Sequence, residues 1–394
     1  MGECSLRVEF VTALSELAQL GNVWEAFNGK LNDHDAVFFQ SHAWCQHVAS
    51  MQARPPRNDY RLCVAKVLRN GHLIGIWPLS LQRHSSIWLA RNLDYPFGQF
   101  AGVLFYAKAD IAPGVAAVIN ELRARRLADG IRIDGVIAGS SLHQALLLTG
   151  SVGSLANYAA VVDLRPYSCY ADFLGRRNVK TLRNLRNAQN RLQRNSLLTT
   201  IATDDAQQVT EIVIQTFSDR LAWLTKRGKA SEAFENRRFS QLVSSLSSNP
   251  DLRLLAFSLL ANGKPISQQW GFVYGSRYYA YISARNEAFD EFSPGRLHLG
   301  KIIEHCHGLG LAAVELMAPP AAYKMSWTDE TKPLFILHNS FSVRGFVILE
   351  LWLRRMRPQL VTFVRVLPSG FRRAIVGLAK LPFKPRSCSS IRPP

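Results

Sequence analysis

The sequence lacks a Cys-x-x-Cys pair, an uninterrupted apolar run of membrane-spanning length and, beyond Arg344, all but one acid. Each absence excludes something. Six scattered cysteines, Cys4, Cys45, Cys63, Cys169, Cys306 and Cys388, give neither a disulfide framework nor a zinc knuckle, and reduced thiols in the cytoplasm are the simpler reading. No apolar run approaches the roughly twenty residues that cross a bilayer. Glu3 and Glu9 stand where a signal peptide carries its basic and apolar regions, so the expectation is a cytoplasmic protein. The shortage of acid is local. Of a net charge of +18, more than half comes from the stretch running from Arg344 to the last residue, where eleven Lys or Arg face Glu350 alone, and a second stretch, Arg176 to Arg194, holds seven cations and no acid.

What is present is enough apolar material for two cores: 394 residues, 47% of them hydrophobic and 10% aromatic. Asn262-Gly263 stands between two alternating apolar runs, a strong hairpin signal. The same pattern occurs earlier, and the two copies align without a gap: Arg61 with Arg253, Leu62 with Leu254, Asn70-Gly71 with Asn262-Gly263, Ile74 with Ile266. A helical segment precedes each hairpin and an α/β segment follows it. A tandem duplication of one α/β (α+β) domain accounts for this. The expected division is 1–165, 166–345 and a basic tail, 346–394, whose end is proline- and serine-rich and reads as disordered.

In the first half the periodicity predicts helices over Leu14–Phe27 and Trp44–Met51, hairpin strands over Arg61–Leu68 and Leu73–Leu81, and a helix over Pro113–Ala128 stopped by Gly130. The second half opens with one long amphipathic helix, Tyr170–Arg194, with Asp172 as its cap; helices over Ala206–Lys226 and Glu232–Ser247 precede the hairpin. A strand over Tyr278–Ala284 then leads through Asn286–Glu291 to Ser293-Pro294-Gly295-Arg296, which opens a helix, with Ser293 as the cap and proline in the first turn. The strand Ala312–Met317 delivers the chain to Tyr323-Lys324-Met325-Ser326-Trp327. A helix N-terminus beside a splayed strand can hold a pyrophosphate, as an acyl-CoA transferase requires.

These residues resemble a known family. Phe292-Ser293-Pro294-Gly295-Arg296, a helix, a strand, then Tyr323-Lys324 and Trp327-Thr328-Asp329 look like the GNAT-fold acyltransferases of the CelD type, of cellulose and exopolysaccharide biosynthesis; Phe38–Trp44 and Pro78-Leu79 are similar to that family's N-terminal region. The likeness covers roughly residues 35 to 340 and extends to the Fem-type peptidyltransferases, which have two GNAT-like domains and a Tyr-Lys or Phe-Lys element near the acceptor site. It implies two tandem GNAT-like domains with mixed central sheets flanked by helices. It also implies transfer of an acyl group, from acetyl-CoA in the simplest case, to an amine or hydroxyl on a sugar or polysaccharide precursor. An aminoacyl transfer from aminoacyl-tRNA of the Fem kind stays open, as does a catalytically silent, membrane-peripheral scaffold.

Acyl transfer needs a base for the nucleophile, donors for the oxyanion and a proton for the leaving group. Backbone amides near Tyr281–Ala284 serve the oxyanion in this reading. Glu287, with Asp290 and Glu291, is placed for a general base against the alternative of solvated loop acids; Tyr281 is a candidate proton donor against a packing role. Lys324 ranks highest, with Tyr323 beside it, against a surface ion pair to Asp329 or Glu330. Ser293, Gly295 and Arg296 are the candidate cofactor-binding residues. His305-Cys306-His307 is no metal site, because helical side chains at i and i+2 point about 200° apart. The Arg176–Arg194 face is read as solvated rather than nucleic-acid-binding, for want of interleaved aromatics. The tail can lie on an anionic inner-membrane surface or pack on its own protein.

Overall fold

The computed structural model describes residues 6–28, 38–55, 58–229, 231–328 and 330–356. They fall into two compact units, Met1–Asn339 and Ser340–Pro394. The first half of the larger unit contributes β1 (Leu6–Val11), α1 (Leu14–Gln19), α2 (Gly21–Asn28), α3 (His42–Gln52), β2 (Tyr60–Leu62), β3 (Val64–Arg69), β4 (His72–Trp77), β5 (Leu79–His84), β6 (Ile87–Asn92), β7 (Leu104–Phe105), α4 (Ile111–Ala124), β8 (Gly130–Ile137), α5 (Ser141–Leu148) and β9 (Val152–Asp163). The second contributes α6 (Tyr170–Gly175), α7 (Val179–Asn195), β10 (Leu198–Thr203), α8 (Ala206–Lys226), α9 (Glu232–Glu235), α10 (Arg237–Ser245), β11 (Leu254–Ala261), β12 (Lys264–Tyr274), β13 (Arg277–Arg285), α11 (Pro294–Gly308), β14 (Ala313–Met317), α12 (Ala322–Met325) and β15 (Thr331–Ser340).

The two hairpins are the same object. Asn70-Gly71 and Asn262-Gly263 both turn with positive φ, 52° and 79° in the first and 50° and 76° in the second, as a tight hairpin demands. Their registers correspond pair by pair, Arg69–His72 with Ala261–Lys264 and Val67–Gly75 with Leu259–Ser267, and each slips at the same place, after Val67 and after Leu259. The strand before each hairpin matches as well: β1 pairs antiparallel with β3 from Leu6–Arg69, and β10 with β11 from Leu198–Ala261. Equal pairing at a constant offset of 192 residues, Leu6 to Leu198, is the geometric form of the repeat.

The copies are then used differently. β1, β3, β4 and β7 form a small sheet, whereas β10 and β11 open an eleven-stranded sheet in the order β10-β11-β12-β13-β14-β9-β15-β8-β6-β5-β2. The long strands expected at Arg61–Leu68 and Leu73–Leu81 are each broken, at Cys63 and Pro78, so their outer parts, β2 and β5, pair in the large sheet while β3 and β4 stay in the small one. Pro78 has no N–H to continue a ladder. The strand β9, ahead of the expected boundary at Arg165-Pro166, pairs with β14 and with β15, which comes from the end of the unit. One aromatic core lies under both copies: Phe38 stacks on Phe272 with centroids 4.1 Å apart, Phe97 on Phe239 at 5.0 Å, and Trp24, Trp44 and Trp270 are fully buried.

Several helices differ from expectation. Leu14–Phe27 is two helices, because the chain closes one turn at Leu20 and restarts at Gly21, where an added Cβ would come within 3.2 Å of the His42 ring. Tyr170–Arg194 is also two: Asn178, not Asp172, caps the second, its side chain accepting from the Thr181 N–H at 3.1 Å. Glu232–Ser247 breaks at Asn236, whose side chain accepts from the Arg238 N–H. The helix after β7 ends at Ala124, and Arg126, at φ 52°, rather than Gly130, turns the chain; Gly130 already opens β8.

The smaller unit is described from Ser340 to Met356. Its helix α13 (Val343–Phe346) is capped by Ser342 and runs into a π-helical stretch, Val347–Met356, where Arg354 pairs with Glu350 at 2.8 Å. The proposed amphipathic tail beyond Met356 and the candidate ion-pair partner Asp329 lie outside the described residues. No described helix is long and apolar enough to cross a membrane.

Candidate functional site

The site starts from a parting of two strands. β13 and β14 run parallel and pair only at Arg277–Ala313, Tyr278–Val314 and Tyr279–Glu315. Past that point β13 continues to Arg285 on the arm of β12 alone, while β14 ends at Met317, with φ 62°, and turns through a cis Ala318-Pro319 bond. The edge of β13 from Ala280 onward therefore faces an opening, with main-chain groups available there. The closed end is pinned by a buried ionic cluster in which Glu315 Oε1 meets Arg277 at 2.8 Å and Lys332 at 2.7 Å, tying β13, β14 and β15 together.

Two cavities, of about 370 and 680 Å³, share Arg220, Trp223, Gln269, Ser283, Arg285 and Tyr323 and form one cleft. Tyr323, Ser293, Gly295 and Arg296 line the smaller; Tyr323, Lys324 and Tyr281 line the larger. The larger is walled on the far side by the first-half loop Tyr95–Gln99. That loop is held from below by buried Asp94, whose Oδ2 accepts from Trp44 Nε1 at 2.9 Å, and the close approach of Asp94 to Gly98 leaves no room for a Cβ at residue 98. The first half thus supplies part of the site.

Lys324 closes the mouth of the opening. The short helix α12 places its Nζ 3.0 Å from the Met317 carbonyl, to which it donates. Burial, with a smaller push from the Arg220 guanidinium, brings its ammonium down to about 7. Tyr323 beside it is hydrogen-bonded to Ser283 of β13, and burial raises its hydroxyl. A lysine brought down toward neutrality, beside a strand edge that β14 leaves unpaired, is suited to take a proton from an attacking amine or hydroxyl.

The other expected residues fare differently. Glu287 lines neither cavity; Lys226 at 2.6 Å and Arg227 at 2.8 Å hold its carboxyl down at about 2, which makes it a weak proton acceptor. Tyr281 is buried with its hydroxyl donated to the Phe97 carbonyl at 2.8 Å, which fastens β13 to the first half and leaves that proton committed. Ser293 does not cap α11: it sits at φ 51° and its side chain makes no capping bond. The Ser293 amide is spent on the Asp290 carbonyl and the Arg296 amide on the Ser293 carbonyl, and Pro294 has none. The helix end therefore lacks the row of free amides that a pyrophosphate loop presents.

Residues that sequence reasoning missed include Arg220 and Trp223 of α8, Ser267 and Gln269 of β12, and His298 of α11. The ring of His298 is buried, shares a hydrogen bond of 3.0 Å with Ser267 through Nδ1, and is driven by burial down to about 3, hence neutral. A signal existed in the polar run Ser267-Gln268-Gln269 inside an otherwise apolar, buried strand. Among the described residues no group of three or more His, Cys, Asp or Glu could hold a metal ion.

Residues 179–325 match the family model described as an acetyltransferase (GNAT) domain. The whole fold is similar to the crystal structure of FemX, at 10% identity, covering 87% of this chain and 99% of that one with a TM-score of 0.56. It is similar also to the C-terminal domain of a protein assigned as a lysylphosphatidylglycerol synthetase from Agrobacterium fabrum, at 13% identity, 86% and 96% coverage and a TM-score of 0.53. A conserved protein of unknown function from Bacteroides thetaiotaomicron shares 9% identity over 84% of this chain and 99% of that one, with a TM-score of 0.52. No curated protein matches the chain. The strand parting, the cleft around it and the family match converge: the second half carries a GNAT-fold acyltransferase domain, set behind a first-half copy of the same β-strand plan.

Proposed function

We propose that the protein transfers an acyl group, from acetyl-CoA in the simplest case, to an amine or hydroxyl of a sugar or polysaccharide precursor. The observation that carries the transfer is Lys324, near-neutral in its titration, at the mouth of the β13–β14 opening. A thioester supplies an activated carbonyl. Lys324 accepts the nucleophile's proton in its neutral form, Tyr323 and Ser283 form the adjoining polar wall, and the exposed edge of β13 after Tyr279 provides amides for the oxygen that gains charge. The acceptor reaches these groups from the larger cavity, whose aromatic and polar wall at Tyr95–Gln99 suits a sugar ring.

A second reading, aminoacyl transfer from an RNA-linked donor, is supported by the Fem-type resemblance and by the exposed face of α7. Lys180, Arg183, Arg186 and Arg194 lie on that face with no acid in the helix.

One experiment addresses both. Thiol release from acetyl-CoA is followed with a panel of amino sugars and glycans, and in parallel transfer from aminoacyl-tRNA is measured. Lys324→Met is expected to lower kcat by roughly 10²–10⁴-fold, and the parent's rate is expected to rise through pH 7 as Lys324 loses its proton. Transfer from aminoacyl-tRNA alone would replace the first reading with the second. Absence of both activities would leave a silent scaffold.

A further inference from the structure

The described part of the smaller unit ends on a helix with two unlike sides, Val343–Phe346 continued by Val347–Met356. Gly345, Leu349 and Glu350 are buried. Val343, Val347, Leu351 and Met356 recur at spacings of four, four and five residues, which keeps them on the other side as the α turn widens into π geometry, and Phe346 and Trp352 flank them. All six are between 37 and 81% exposed. Single apolar side chains in water are ordinary, but a continuous stripe of them along one helix marks a contact surface.

Charge says what the stripe contacts. Arg354 is paired with Glu350 at 2.8 Å, while the exposed Arg344 and Arg355 form no ion pair among the described residues. Glu350 is the last acid of the sequence, and residues 357–394 add eight Lys or Arg. Two copies of such a surface repel each other, so a second copy is a poor occupant. An acidic protein would offer carboxylates at a few fixed points. Cations spread from residue 344 to residue 392, with Trp and Phe at the apolar stripe, match a surface that is negative throughout its plane and apolar just beneath it.

We propose that the exposed side of residues 343–356 lies in the headgroup layer of an anionic bilayer, with Phe346, Leu351 and Trp352 reaching the acyl-chain boundary and Arg344 and Arg355 on lipid phosphates. The proposal is independent of the acyl-transfer reading. None of these residues lines the β13–β14 cleft, and the contact asks nothing of the chemistry there.

The test is co-sedimentation of the full chain with phosphatidylcholine vesicles, with and without about one-third phosphatidylglycerol, at about 0.15 M and about 0.5 M salt. Binding to the anionic vesicles is expected, and part of it survives the higher salt because the apolar share is not screened. Leu351→Ser with Trp352→Ser is expected to weaken it roughly tenfold or more, since both side chains lose their burial in lipid. Arg183→Gln with Arg186→Gln, which removes two cations from α7, is expected to keep it within about twofold. Binding that ignores the paired substitution at 351 and 352, or that falls equally with the α7 pair, is bulk attraction of a +18 chain and overturns the proposal. Absence of binding at millimolar lipid overturns it too, and a doubled mass in light scattering would then give the stripe to a second copy. Should the paired variant fail to fold, amide hydrogen exchange of the parent protein is the second readout. Slower exchange over residues 343–356 on anionic vesicles is expected, and unchanged exchange there overturns the contact.

Discussion

At the scale of single residues, Lys324 is held by two opposing demands. Burial, with a smaller push from Arg220, lowers the ammonium to about 7 from its ordinary 10.5, which serves the proton transfer proposed above and weakens the fold. Because the folded value lies below the unfolded one, the unfolded chain takes up a proton as pH falls from about 10.5 to about 7 while the folded chain does not. Stability is lost across that window and the loss is constant below it. Lys324→Met is therefore expected to stabilise the protein at pH 7 by roughly 1–3 kcal/mol, a gain that shrinks to nothing toward pH 10.5. Melting curves of both proteins across pH check this; a variant less stable than the parent at pH 7 would mean that Lys324 is a structural residue. Tyr323 and Lys324 were legible in the sequence because they form a compact polar cluster after a strand. Arg220 and Trp223 were not, since polar positions on a helix such as α8 look the same whether they face water or a cleft built about a hundred residues later.

Elements were legible where local chemistry alone decides them. Asn-Gly turns, alternating strands and the extent of α8 follow from short-range rules, and the structure places them where the sequence does. The breaks at Cys63, Pro78 and Asn178 were not, because each depends on which sheet or neighbour the next segment joins. Glycines show the difference in energy. Gly263 stands at φ 76° with open space around it, so Gly263→Ala is expected to cost only the backbone strain, about 1 kcal/mol. Gly271 sits at the β12–β13 irregularity, where a Cβ would come within 1.9 Å of the Tyr279 carbonyl oxygen. Gly271→Ala must move β13, the strand that borders the opening, and a loss of several kcal/mol is expected, on the order of the largest core substitutions. Urea unfolding of the two variants compares them directly; equal costs would contradict the account.

For the molecule as a whole, the repeat was visible in the sequence but its interlock was not. A repeat predicts two similar parts, and nothing local says that β15 slots between β9 and β8, both from the first half. A chain ending at Glu330 keeps every residue of the expected catalytic cluster yet loses β15, and with it the shared neighbour of β8 and β9 and the Lys332 arm of the Glu315 cluster. Such a chain is expected to be insoluble or partly unfolded by circular dichroism, and a cooperative native melt would refute that. The same slot has a consequence for how the protein is made. At a synthesis rate of about 5–20 residues per second, the gap between β8 and β9 stands open for roughly ten to thirty seconds after β9 has emerged, with two unpaired strand edges exposed in the nascent chain. Those edges stay open until β15 leaves the ribosome and fills the slot.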